Sequence, residues 1–344
     1  MGKTRLRPKR PKINVNVHRL IIMNKIGFPK PKMDEEDRIA LIPGDLNMIN
    51  YPNMLFFEKG YGIRHGFKDK EYADKGANIV NLKKAYSMEV ICQPKFSDND
   101  LPFIKGDQIL FGWLHLVERE KNSKELIRKG ITAIAWEFMY RGKDYVFRDN
   151  RILTGEVGAL HSITYSKKMP RDCTVALIGS GMVGQGALNI LKKLDADVII
   201  YDIKLNNMNK LKKEISNYDV IMHCVGAYPK IILSKNDLSK MKEGALFVHM
   251  GDDCIEGMPK PMSIYNPVST INNKKNTVYR INHLPTIAYK TASSIISKDV
   301  VPYINKLINN EIDITLKNAV VIDRGIPLKE RLWSKAYPNY FPQK

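Results

Sequence analysis

Hydrophobic positions in this chain fall into two rhythms, and their alternation predicts the architecture. In the first part of the chain, short apolar runs bounded by polar or turn-forming residues read as buried strands at 20–27, 54–58, 90–92, 108–113 and 132–137. Residues 122–129, between the last two, read as a crossover helix. Strands alternating with helices predict a parallel sheet covered by helices. Residues 141–172 are rich in charge, glycine and proline and read as a domain junction. A second series follows, with strands at 173–178, 197–201, 220–225 and 245–250, a helix at 182–193 and an amphipathic stretch at 205–215. Residues 293–308 place apolar side chains at helical spacing and predict a long helix.

The turn that joins the first strand and helix of the second series is the most informative segment. Gly179-Ser180-Gly181-Met182-Val183-Gly184 follows the apolar run Val175-Ala176-Leu177-Ile178 and opens a helical pattern. A second apolar strand, Val198-Ile199-Ile200-Tyr201, comes next and is closed by Asp202. Glycines at this spacing mean little alone, but in this context they form a dinucleotide-binding fingerprint. Gly179 permits the tight turn, Gly181 leaves the backbone open to a pyrophosphate, and Gly184 lets the helix pack on the sheet. The pyrophosphate would lie at the positive helix N-terminus, with Ser180, Met182 and Val183 completing its cradle. Asp202 would accept hydrogen bonds from the adenosine ribose and repel a 2′-phosphate, which favours NAD over NADP. Lys204 weighs the other way.

Composition narrows the class. At 344 residues, with 44% hydrophobic and 26% charged residues, the chain has room for two soluble domains. No apolar run approaches the ~18–20 residues of a membrane span. The basic N-terminus has no apolar core behind it, so a secretory signal is not expected and the cytoplasm is. Cys92, Cys173, Cys224 and Cys254 are scattered and suggest reduced core thiols, with neither a disulfide framework nor a metal site. The formal net charge is +19, and residues 1–19 contribute seven basic and no acidic side chains to it. That arm reads as solvated and disordered. It lacks interleaved aromatics, and no nucleic-acid-binding motif accompanies it, so neither nucleic acid nor membrane is expected as a partner. Positive charge in the rest of the chain suits an anionic cofactor and carboxylate substrates.

Several blocks in the N-terminal half resemble the alanine dehydrogenase and nicotinamide nucleotide transhydrogenase family. They are Gly27-Phe28-Pro29, Arg38-Ile39-Ala40-Leu41-Ile42-Pro43, Glu58-Lys59-Gly60-Tyr61-Gly62, Lys75-Gly76-Ala77, Leu114-His115-Leu116 and Ala133-Ile134-Ala135-Trp136-Glu137. Asn282-His283-Leu284-Pro285 resembles the family's Asn-x-Pro segment after the cofactor domain. The ordered succession of these blocks is what makes the likeness specific. It implies an α/β fold of two Rossmann-like domains with parallel sheets, the cofactor domain being inserted into a discontinuous substrate domain. The expected limits are 20–158 with 287–344 for the substrate domain and 159–286 for the NAD-binding domain. It further implies a homo-oligomer acting on a small 2-oxo acid and an amine. The short connection from Thr154-Gly155-Glu156-Val157-Gly158 to Gly179, together with Gly112-Trp113 and Gln185-Gly186-Ala187, is similar to the N5-(carboxyethyl)ornithine synthase branch. That branch carries a basic residue where this chain has Asp202.

The resemblance assigns roles residue by residue. Arg38 would clamp the carboxylate of the 2-oxo acid, since a guanidinium fork matches a carboxylate with two hydrogen bonds. Lys95 would bind the substrate and stabilise charge on its carbonyl oxygen. His115 would move protons, as suits a side chain with an unperturbed pKa of ~6.5. Asp253 aligns with the family's catalytic aspartate, and Asp252 is the alternative. Glu137 and Glu156 could bind the ammonium of the second substrate, and Asn282 would touch the cofactor. The expected activity is reductive condensation of a 2-oxo acid with an amino-acid amine by NADH. Reductive amination with ammonia, or a nucleotide-binding protein without catalysis, are the alternatives.

Overall fold

The computed structural model describes residues 23–116, 119–226 and 230–328, so the basic arm and the opening of the first predicted strand lie outside it. Along the chain, strands β1 (Ile26–Phe28), β2 (Leu55–Glu58), β3 (Asn78–Val80), β4 (Val90–Lys95), β5 (Ile109–Trp113) and β6 (Thr132–Ala135) come first. A small hairpin, β7 (Tyr140–Arg141) and β8 (Asp144–Tyr145), follows them. Then come β9 (Thr174–Ile178), β10 (Asp197–Tyr201), β11 (Val220–His223), β12 (Leu246–His249), β13 (Val268–Ile271) and β14 (Asn276–Tyr279). The last strands are β15 (Val320–Asp323) and β16 (Ile326–Pro327). The helices are α1 (Asp69–Ala73), α2 (Leu82–Ala85), α3 (Glu120–Arg128), α4 (Arg148–Ser162), α5 (Met182–Lys193), α6 (Met208–Glu214), α7 (Lys235–Leu238), α8 (Tyr289–Ile308) and α9 (Ile314–Ala319).

Two sheets organise these elements. One runs β3-β2-β1-β4-β5-β6-β15-β16 and the other β10-β9-β11-β12-β14-β13. Both are parallel except at one edge, where β15, β16 and β13 pair antiparallel. The first sheet therefore takes its last strands from the chain terminus, after the second sheet is complete. The apolar runs explain the central strands: Val175 to Ile178 of β9 are all buried, as a strand covered on both faces requires. Edge strand β10 instead alternates exposed and half-buried positions before ending on buried Tyr201. Chain order reverses beside β1 in one sheet and beside β9 in the other. A crevice forms at the carboxyl ends of strands where order reverses, and this is where ligands bind in open α/β sheets.

Two segments depart from the sequence reading. Residues 141–172, read as a junction, hold the β7–β8 hairpin and the fifteen-residue helix α4. Gly155 and Gly158 look like helix breakers but serve packing. A Cβ on Gly155 would stand 1.8 Å from the Val183 carbonyl oxygen of α5, and one on Gly186 would stand 2.0 Å from that of Ile152. Helices α4 and α5 thus meet backbone to backbone. The second departure is the β13–β14 hairpin, whose turn at Asn272, Asn273 and Lys274 takes the left-handed conformation. The four cysteines are buried and free, and among the described residues no helix is long and apolar enough to cross a membrane.

Candidate active site

A cleft of about 200 Å³ opens at the carboxyl ends of the first sheet. Three groups of residues line it. Arg38 from the loop after β1, Lys95 at the end of β4, Trp113 and His115 at the end of β5, and Glu137 after β6 form one wall. Asn150, Arg151 and Thr154 come from α4, and Met250, Asn282 and His283 from the second sheet's side. The segment 33–38 borders both this cleft and a larger cavity of about 550 Å³, into which Glu36, His65 and Tyr265 face. The smaller one gathers the groups able to do chemistry on a carbonyl.

Arg38 is fixed before any ligand arrives. Its Nε donates to Glu36 Oε1 at 2.7 Å and its Nη2 to Glu36 Oε2 at 2.5 Å, both side chains being buried. Burial works to raise the Glu36 pKa, but the Arg38 charge and hydrogen bonds outweigh it and hold the carboxyl below its ordinary value. One edge of the fork is thereby occupied, and the Nη1 edge is left to meet a carboxylate. The guanidinium also lies 5.3 Å from the centre of the Trp113 ring. Trp113, Trp136 and Phe147 pack as a rigid aromatic floor, with ring centres 4.7–5.0 Å apart.

His115 sits in the left-handed region, at φ 46°. Such a conformation is unusual for a histidine and persists where the surroundings enforce it. Glu137 does so: its two carboxylate oxygens accept the backbone N–H groups of His115 (2.8 Å) and Leu114 (3.3 Å). The carboxylate expected to bind an ammonium thus lines the cleft and also holds the loop that presents His115.

The glycine loop has the geometry its sequence predicts. Gly179 adopts φ +99°, and a Cβ on Gly184 would stand 1.9 Å from the Gly179 carbonyl oxygen. A Cβ on Gly181 would meet nothing within 4 Å, so the loop leaves open the space that a pyrophosphate needs. Asp202 is buried at the end of β10 and accepts from the Ser180 N–H (2.7 Å), the Ser180 hydroxyl (2.6 Å) and the Lys204 N–H (2.8 Å). Burial opposes its charge, yet these hydrogen bonds keep its pKa below the usual aspartate value. Residues at the ends of β11 and β12 join this loop to the cleft. Val225 borders Gly179, and Met250 lines the cleft while packing against Gly158.

Other expected residues lie elsewhere. The Asp253 carboxylate is exposed, pairs with Arg280 at 2.5 Å and does not line the cleft. Asp252 is likewise exposed and does not line the cleft; its Oδ2 lies 3.9 Å from where Gly226 would carry a Cβ. Glu156 is half-buried on α4 against Gly186 and is not a cleft residue.

Sequence reasoning missed Asn150, Arg151 and His283. The last belongs to a segment that had been singled out. His283 is buried, and among the described residues neither ring nitrogen has a hydrogen-bond partner. Burial, with Arg38 and Lys95 nearby, lowers its pKa against the opposing pull of Glu36. Nothing in the residue pattern marks Asn150 or Arg151.

Comparison with known proteins agrees with this arrangement. Residues 27–147 match the N-terminal domain of alanine dehydrogenase and transhydrogenase, and 205–331 match the C-terminal domain of the same family. Residues 144–255 match the NAD-binding domain of D-isomer specific 2-hydroxyacid dehydrogenases. An N(5)-(carboxyethyl)ornithine synthase of Clostridium botulinum is 28% identical over 80% of this chain and 92% of its own length. An alanine dehydrogenase of Bacillus subtilis is 25% identical over 83% of this chain and 85% of its own. In fold, an L-alanine dehydrogenase structure covers 92% of the chain at a TM-score of 0.77 and 21% identity. A transhydrogenase from Sinorhizobium meliloti covers 88% at 0.73 and 15% identity. With both of its domain models matched in order around one cleft, the chain belongs to the alanine dehydrogenase and transhydrogenase family.

Proposed function

We propose that this protein is an NAD(H)-dependent oxidoreductase that reductively joins a 2-oxo acid such as pyruvate to an amino-acid amine. The observation that carries the proposal is the meeting of Arg38, Lys95 and His115 in one cleft bordered by cofactor-side residues. The relative named N(5)-(carboxyethyl)ornithine synthase supports an amine over ammonia. Arg38 holds the oxo-acid carboxylate through its remaining edge. Lys95 stabilises negative charge on the carbonyl oxygen as the amine nitrogen adds to the carbonyl carbon. His115 moves the proton that lets water leave, giving an imine. The loop 179–184 and Asp202 would hold NADH, which when bound would supply the hydride that turns the imine into a secondary amine.

The test is NADH oxidation with pyruvate and either ornithine, lysine or ammonia, with the product identified by mass. A side-chain amine is expected to give the higher kcat/KM and a secondary-amine product. Alanine formed from ammonia at the higher kcat/KM would replace this reading with that of an amino-acid dehydrogenase.

A further inference from the structure

The cleft carries a second guanidinium that the steps above do not use. Arg151, in the first turn of α4, lies 3.7 Å from the centre of the Tyr145 ring. Tyr145 is buried and accepts a hydrogen bond from Trp113 Nε1 at 3.1 Å. Trp113 in turn lies beneath Arg38. An aromatic bridge, Trp113 to Tyr145, thus separates two arginines on the wall of one cleft. They differ in what they hold. Arg38 is already paired with Glu36, whereas among the described residues Arg151 makes no ion pair.

Beside Arg151, Asn150 is only 5% exposed, lines the same cleft, and among the described residues its Oδ1 has no hydrogen-bond partner. A buried acceptor without a donor is costly, and a bound N–H would relieve it. The neighbouring carboxylate, Glu137, is held by the two backbone N–H groups of the His115 loop. A planar cation on the same cleft wall as a buried, unsatisfied amide oxygen matches the head of an α-amino acid, which bears a carboxylate and an ammonium on one carbon.

We propose that the first turn of α4 is a subsite for the α-amino-acid head of the amine substrate, with Arg151 on its carboxylate and Asn150 on its ammonium. The proposal rests on the amine-joining reading above and names its substrate class. The enzyme takes a basic amino acid and not a simple diamine, and the side-chain amine extends from α4 towards Lys95 and His115.

The experiment measures binding and turnover separately. Ornithine, and 1,4-diaminobutane as the same molecule without the carboxylate, are titrated calorimetrically into the enzyme–NADH complex of wild type, R151K and R151Q. R151Q should weaken ornithine binding by about 10- to 100-fold, the range for a lost charge-assisted hydrogen bond. Diamine and NADH binding should not change. R151K keeps the charge without the planar fork and should fall between, and it carries the test if R151Q does not fold. Ornithine binding that R151Q leaves unchanged, that falls equally for the diamine, or that wild type lacks, would overturn the subsite. Consumption of ornithine with pyruvate decides the underlying function on its own. If ornithine binds through Arg151 but is not consumed, the function falls and the subsite stands. Consumption equal in wild type and R151Q has the opposite meaning.

Discussion

Replacing Glu36 by Gln tests whether the carboxylate clamp is built in advance. The Glu36 and Arg38 side chains are 0% and 4% exposed, and two hydrogen bonds join them. Glutamine keeps one acceptor but sets an amide N–H₂ against Nη2, and it leaves the guanidinium buried without a counter-charge. Breaking one partner of a buried pair costs about 3–5 kcal/mol. At roughly 2–4 °C per kcal/mol for chains with large domains, the melting temperature should fall by ~6–20 °C. The freed fork should also raise the KM for the 2-oxo acid while the NADH dissociation constant stays unchanged.

The pH dependence has a defined sign. The Glu36 pKa is lowered in the folded protein from an ordinary value of 4.5, so the pair's contribution is present above that value. It is lost as pH falls through the lower folded value. The stability gap between wild type and Glu36→Gln should therefore be wide at neutral pH and close in acid. Thermal melts across pH and oxo-acid saturation curves measure both effects. In the double variant with Arg38→Met, the loss should be smaller than the sum of the single losses. An unchanged melting temperature together with an unchanged oxo-acid KM would show that the pair neither stabilises nor orients the clamp.

Two other perturbations separate the parts of the site. His115→Ala should lower kcat by about 10²–10⁴-fold, as for loss of a general acid–base group, and leave NADH binding intact; an unchanged rate would remove His115 from the chemistry. Asp202→Ala takes away the acceptor that meets Ser180 and that is expected to meet the ribose, so fluorescence titration should show weaker NADH binding and a smaller preference over NADPH. Tighter NADPH than NADH binding by the wild-type protein would refute the cofactor assignment.

The sequence is most legible where one residue type answers one physical demand. The loop 179–184 could be read because a tight turn, an open backbone and a close helix each require glycine. Arg38, Lys95 and His115 could be placed because motif order set them after strands, and parallel strands point their carboxyl ends to one side. Glu137 was harder to read, since its partners are backbone N–H groups, which leave no trace in the residue pattern. The adjacent Asp252 and Asp253 could not be told apart, because the turn after β12 alone decides which faces Arg280. Helix α4 was hidden for another reason. Gly155 and Gly158 signal a break in an isolated helix, but here tertiary packing overrides propensity. Asn150 and Arg151 were concealed with it.

The contact between α4 and α5 has a consequence for how this enzyme could change. Backbone touches backbone there, with Gly155 over Val183 and Gly186 over Ile152, so no side chain can be trimmed to bring the helices closer. A larger residue at either glycine would push α4 away and tilt the helix that opens at the cofactor loop. The amine wall and the nucleotide seat are therefore one mechanical part and cannot be tuned independently. A new amine specificity has to be carved from the side chains of Asn150, Arg151 and Thr154 on a helix that stays where it is.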